Sequence, residues 1–81
     1  MKTIKFIICP ADNHRIGLLR LVEEKGKVNR RESAYHNIDE IEKAVASELE
    51  VGYEQVKVLW SKDLSSELKE KARELQEKYK K

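Results

Sequence analysis

The 81-residue chain carries 17 Lys and Arg against 15 Asp and Glu, so its formal net charge is only +2, and 40% of its residues are hydrophobic. This length predicts one domain over residues 1–81, and so small a net charge indicates no particular class of charged partner. A single cysteine excludes an internal disulfide, and no apolar run approaches the ~20 residues that cross a membrane, so we expect a cytoplasmic protein without membrane contact.

Two apolar strands are predicted at the start of the chain. The β-branched run 3–9 is bounded by Pro10, which cannot donate a hydrogen bond within a central strand. The run 15–23 follows a turn that contains Asp and Asn, and Gly17 within it predicts a β-bulge. Apolar side chains alternate onto both faces of these strands, so both faces of the sheet are expected to need cover.

A tight turn at residues 24–27 is predicted to lead into a third strand. Gly26 permits the positive φ angle that a two-residue hairpin turn requires. The following run, residues 28–35, contains few apolar side chains, which is typical of an exposed edge strand.

Two helices and a fourth strand are predicted in the second half of the chain. Asn37 is a good helix N-cap, and Gly52 supplies the stop of that first helix. A short alternating run at residues 55–60 predicts the fourth strand. The last helix is expected from Leu64 to Lys80, with residues 78–81 as a fraying tip.

The predicted order of elements is β-β-β-α-β-α. The economical arrangement is a small two-layer α+β sandwich, in which an antiparallel sheet of three to four strands carries both helices on one face. No linker or internal repeat divides the chain, so this sandwich is expected to form the whole domain.

Two features predict self-association into a homodimer. The first two strands are apolar on both faces, whereas two helices can cover only one face of a sheet. The last helix also has a narrow apolar seam with the 4-3-4 spacing of a short coiled coil. This candidate dimer or partner interface consists of Leu68, Ala72, Leu75 and Tyr79. The alternative is a monomer in which the last helix simply lies on the sheet.

The charges are distributed unevenly along the sequence. Residues 1–36 carry eight basic and four acidic side chains, whereas residues 37–50 carry one basic and five acidic ones. The basic side chains nearest the hairpin turn form a candidate nucleic-acid-binding site, namely Lys25, Lys27, Arg30 and Arg31. A basic β-ribbon can contact phosphate, and the planar fork of Arg suits it. The alternative is a solvated hairpin whose charges protect an edge strand.

Few residues invite a catalytic interpretation. Cys9, Asp12 and His14 lie close together in sequence, and with His36 they could form a nucleophile–base pair or a zinc site. Their spacing matches no metal-binding motif, and a buried structural thiol followed by ordinary turn residues explains them more simply. We therefore expect no enzymatic activity, no metal and no cofactor.

Three functions follow from these patterns. The first is a small binding or regulatory domain that contacts nucleic-acid phosphate through the basic hairpin. The second is a protein–protein interaction module or dimeric adaptor without nucleic acid, which binds through the two-sided strands or the helical seam. The third is a small metal-free ribonuclease that uses His36, Arg30, Arg31 and Tyr35.

Overall fold

The computed structural model describes residues 1–79 and contains, within that range, six elements in the predicted order. They are β1 Lys2–Pro10, β2 Ile16–Glu24, β3 Lys27–Tyr35, α1 Ile38–Leu49, β4 Gln55–Trp60 and α2 Ser66–Tyr79. The predicted α+β fold class is confirmed, with a four-stranded, mostly antiparallel sheet and two helices in this part of the chain. Of residues 78–81, where the last helix was expected to fray, Lys78 and Tyr79 belong to α2, and Lys80 and Lys81 lie outside the described residues.

The strands follow the order β3-β2-β1-β4 across the sheet. Pairing is antiparallel between β1 and β2 and between β2 and β3, as expected of consecutive hairpins. The fourth strand instead pairs parallel to β1. The reason is the connection through α1, because a helix that crosses the sheet returns the chain in its original direction.

Both helices pack on the same face of the sheet. The face of β1 that carries Ile4, Phe6 and Ile8 is fully buried beneath them. Buried residues of the other elements complete one core, namely Ile16, Leu18, Ile41, Val45, Tyr53, Val56, Val58, Leu64, Ala72 and Leu75. The helix α2 lies against β4, and α1 reaches β3, so the two helices share the cover of this one face.

The apolar seam of α2 faces the sheet. Ala72 and Leu75 are buried in the core, and Leu68 and Tyr79 are partly buried against it. The seam that the sequence suggested as a dimer or partner interface is therefore covered within the chain, where it contributes to the core. A helix that lies on its own sheet, the alternative that the sequence left open, describes α2.

Polar side chains and backbone geometry fix the ends of the elements. Asn37 Oδ1 accepts a hydrogen bond of 3.0 Å from Glu40 N, which confirms the predicted N-cap of α1. At the hairpin between β2 and β3, Lys25 and Gly26 have φ angles of 54° and 80°. Two consecutive positive φ angles are typical of a type I′ turn, which matches the twist of the strands that it joins.

The prediction of a β-bulge at Gly17 is wrong. The pairing of β2 with both of its neighbours runs without interruption through Gly17, which lies between Cys9 and Ala34. A Cβ atom at Gly17 would approach Cys9 Sγ to 3.1 Å, so this glycine allows close packing between strands.

Candidate functional site

The face of the sheet opposite the helices has no cover within residues 1–79, and we call it the open face. Side chains alternate along each strand, so the residues out of phase with the core face line it. These residues are Thr3, Lys5, Ile7, Cys9, Gly17, Leu19, Leu21, Glu23, Val28, Arg30, Glu32, Ala34, Gln55, Lys57 and Leu59. The two-sided apolar character predicted for β1 and β2 is thus present, and one of its sides is exposed.

An apolar band crosses the middle of the open face. Leu59, Ile7 and Leu19 lie directly opposite one another on β4, β1 and β2. Ile7 and Leu19 are partly buried by their neighbours, whereas Leu59 is 41% exposed. A solvated sheet face would normally carry polar side chains at these positions, so the apolar band is unusual for a surface that only meets water.

A row of cations runs beside the apolar band. Lys57 and Lys5 are directly opposite each other on neighbouring strands, and Arg30 follows on β3 beyond the intervening Leu21. Neighbouring strands lie ~4.8 Å apart, so the two lysines repel each other across the ladder. Arg30 Nη2 is 2.6 Å from Glu32 Oε1, whereas neither lysine forms an ion pair within residues 1–79.

Two shallow hollows lie at opposite ends of the open face. The first, of about 340 Å³, has small side chains at its floor because Cys9, Gly17 and Ala34 form one cross-strand row. The second, of about 410 Å³, lies at the end where Met1 and Val28 are exposed. Together with the apolar band, these hollows make the open face uneven, and apolar side chains of a partner could fit into them.

The structure does not bring the four predicted hairpin cations onto one surface. Arg30 belongs to the open face, whereas Lys27 and Arg31 lie on the face of the sheet that the helices occupy. Lys25 is in the turn. Adjacent residues of a strand point to opposite faces, so Arg30 and Arg31 do not form a pair that contacts the same phosphate on one face of the hairpin. Nucleic-acid contact through these four residues stays a prediction.

The burial of the Arg20 side chain was not predicted from the sequence. Its side chain lies on the core face of β2 and is only 8% exposed. Its guanidinium donates to Ser33 Oγ at 3.2 Å and to the Tyr35 hydroxyl at 2.9 Å, and its Nε atom is 3.9 Å from Glu48 Oε1. The signal in the sequence was a charge between two apolar residues of the same face, Leu18 and Val22.

A cleft of about 430 Å³ adjoins Arg20 on the helix side of β2 and β3. Burial raises the pKa of Tyr53 above its ordinary value of 10.0; the carboxylates of Glu48 and Glu24 act in the same direction, and Arg31 opposes them. Lys2 Nζ lies 5.2 Å from the centroid of the Tyr53 ring. Because the charges of this cleft are mixed in sign, it favours no one class of charged ligand.

The residues considered for catalysis do not converge. Cys9 contributes to the hollow beside Gly17, whereas His14 lines a separate hollow beside the start of α2. Within residues 1–79, no group of three His, Cys, Asp or Glu side chains could hold a metal ion. The Tyr35 hydroxyl is engaged by Arg20, and His36 is exposed. The structure therefore does not bring the residues of the nuclease hypothesis together in one site. The absence of enzymatic activity stays a prediction.

No protein-family model, curated protein or solved structure matches this chain. The function is therefore inferred from the geometry of the open face and from its chemistry. Neither helix of the described residues is long and apolar enough to cross a membrane.

Proposed function

We propose that this protein is a non-catalytic protein-interaction module that binds an acidic partner protein on its open face. The observation that carries the proposal is that Lys5 and Lys57, which form no ion pair within residues 1–79, lie directly opposite each other beside the uncovered apolar band. This is the second of the functions that the sequence predicted, in the form in which the two-sided strands β1 and β2 provide the binding surface.

The size of the open face supports a modest interface. Four strands of six to nine residues, about 4.8 Å apart with a rise of ~3.3 Å per residue, span about 500 Å². Cover by a partner would bury about 1,000 Å² over both surfaces, which is close to the minimum for a specific complex. The hydrophobic effect would supply most of the affinity, because Ile7, Leu19 and Leu59 would leave water.

The cation row indicates the chemistry of the partner. Two lysines that repel each other in the unbound protein would both gain from a carboxylate placed between them. Charges at the margin of an interface mainly select the partner and accelerate association, while the apolar centre provides affinity. The partner expected is therefore a protein surface with an apolar ridge flanked by Asp or Glu.

Nucleic acid fits the open face less well than an acidic protein does. Among the described residues, the strand positions of this face contain no aromatic ring, because Phe6, Tyr35 and Trp60 are in phase with the core face. Stacking on aromatic rings is the usual source of affinity when a sheet binds single strands.

Selection of peptides from a displayed random library on the immobilised protein tests the proposal. The expected peptides combine Leu, Ile or Phe with several Asp or Glu, and bind with a Kd of roughly 1–100 µM. The variant Lys5→Glu/Lys57→Glu should weaken their binding by about tenfold or more, because attraction becomes repulsion. Leu19→Ser should weaken it independently of salt, since it removes part of the apolar band.

The matched control is Lys62→Glu/Lys71→Glu, which changes the net charge equally at exposed positions outside the open face. It should leave peptide binding nearly unchanged. Fluorescence anisotropy with labelled single- and double-stranded oligonucleotides runs in parallel. Selected peptides that are insensitive to Lys5, Lys57 and Leu19, or oligonucleotide binding that these lysines control, would overturn the proposal.

A further inference from the structure

The two edges of the sheet differ in accessibility. At the β4 edge, Gln76 of α2 donates a hydrogen bond of 3.0 Å to the Val58 carbonyl, so a helix side chain occupies part of that edge. The β3 edge is nine residues long, and almost all of its residues are exposed. Val28 in its first half is a large apolar side chain that is 59% exposed. A long accessible edge strand offers unpaired backbone groups to another strand.

The sequence of β3 is complementary to itself in one antiparallel register. We propose that β3 of one copy pairs with β3 of a second copy around a two-fold axis at Arg31, and that the protein is a homodimer joined through this edge. On the open face, this register places Arg30 opposite Glu32 of the other copy twice, and Val28 opposite Ala34 twice. Opposite charges directly across a strand pair stabilise it.

The neighbouring registers are less favourable. Directly opposite residues of an antiparallel pair share a face, so the neighbouring registers are those with the two-fold axis one residue earlier or one residue later than Arg31. An axis at Arg30 places Arg30 opposite Arg30 of the second copy, and an axis at Glu32 places Glu32 opposite Glu32, in both cases on the open face. In the proposed register, the cost is Arg31 against Arg31 on the other face. These long, exposed side chains can diverge into water, which limits the repulsion.

Edge pairing would give each dimer one continuous sheet of eight strands. A two-fold axis perpendicular to the sheet keeps the open faces of both copies on the same side. Arg30 and Glu32 form an ion pair of 2.6 Å within one chain. In the dimer, each of them would also face the oppositely charged residue of the second copy, so the four side chains would form one cluster of alternating charge. This dimer does not depend on the proposed acidic partner, because the lysines of the open face lie on β1 and β4.

Light scattering after size-exclusion chromatography, over a range of protein concentrations, tests the dimer. The wild-type protein should show twice the mass of the 9.5 kDa chain. Arg30→Glu and Glu32→Arg should each raise the dimer Kd by about tenfold or more, because each reverses two cross-strand pairs. An equimolar mixture of the two variants should recover the dimer, since every Glu at 30 then faces an Arg at 32.

The mixture separates the interface from effects within one chain, because the internal pair stays broken in both variants. Circular dichroism confirms that each variant is folded. Lys57→Glu is the matched control: it should keep the dimer while it weakens peptide binding, so failure of one proposal is distinguishable from failure of the other. A wild-type monomer at all concentrations, a dimer that neither single variant weakens, or a mixture that fails to dimerise would overturn this inference.

Discussion

Arg20 shows how one buried cation can join three elements. It lies on β2, and its hydrogen bonds reach Ser33 and Tyr35 on β3, while Glu48 approaches it from α1. The edge strand contributes little to the core, because only Ser33 and Tyr35 of its residues are partly buried. The polar network therefore replaces apolar packing as the link between β3 and the helical layer.

Arg20→Ala is predicted to destabilise the protein by about 2–3 kcal/mol, because it removes two hydrogen bonds and leaves Glu48 partly buried without its cation. The measurement is urea unfolding followed by circular dichroism. Arg31→Ala is the control, since Arg31 lies directly opposite on β3 but is exposed. Its effect should stay within about 0.5 kcal/mol. Equal losses in the two variants would contradict a structural role specific to Arg20.

At the scale of elements, substitution of the Asn37 N-cap measures how much one local sequence feature contributes to the stability of the fold. Asn37→Ala should cost about 1 kcal/mol in urea unfolding, because Glu40 N loses the 3.0 Å hydrogen bond that caps the helix. Asn37→Ser should retain most of the stability, since its hydroxyl oxygen also accepts this bond and brings no second carboxylate near Glu40. A loss as large for Asn37→Ser as for Asn37→Ala would show that capping does not explain the effect.

The elements were predictable from the sequence because each depends on local signals. Alternating apolar residues identified the strands, and Asn37 and the 24–27 turn identified two boundaries. The neighbours of β4 were not predictable in this way. Its parallel pairing with β1 depends on the path of α1 across the sheet, which no residue of residues 55–60 encodes.

The candidate site was predictable only in part for the same reason. An uncovered apolar face follows from the two-sided strands and from the presence of two helices. The apposition of Lys5 and Lys57, however, requires the long-range pairing of β1 with β4. Arg30 and Arg31 are neighbours in the sequence, but their side chains belong to different faces of the sheet. The sequence therefore suggested a shared site that the strand geometry does not form.

At the scale of the whole molecule, the asymmetry of the two layers has a measurable consequence. Within residues 1–79, the sheet is covered by α1 and α2 on one face and open on the other, so neighbouring residues of one strand experience different environments. Val58 is 2% exposed beneath α2, and the adjacent Leu59 is 41% exposed on the open face. The stability that a side chain contributes should follow its burial and not its size.

Val58→Ala is therefore predicted to cost about 2–3 kcal/mol of unfolding free energy, whereas Leu59→Ala, which removes more carbon atoms, should cost less than about 1 kcal/mol. Urea unfolding at low protein concentration makes the comparison. If the open face instead packed against a second copy, the cost of Leu59→Ala would grow with protein concentration, because association would then contribute to stability. A dimer joined only through the β3 edge leaves Leu59 in water, so a cost of Leu59→Ala that does not change with concentration is expected.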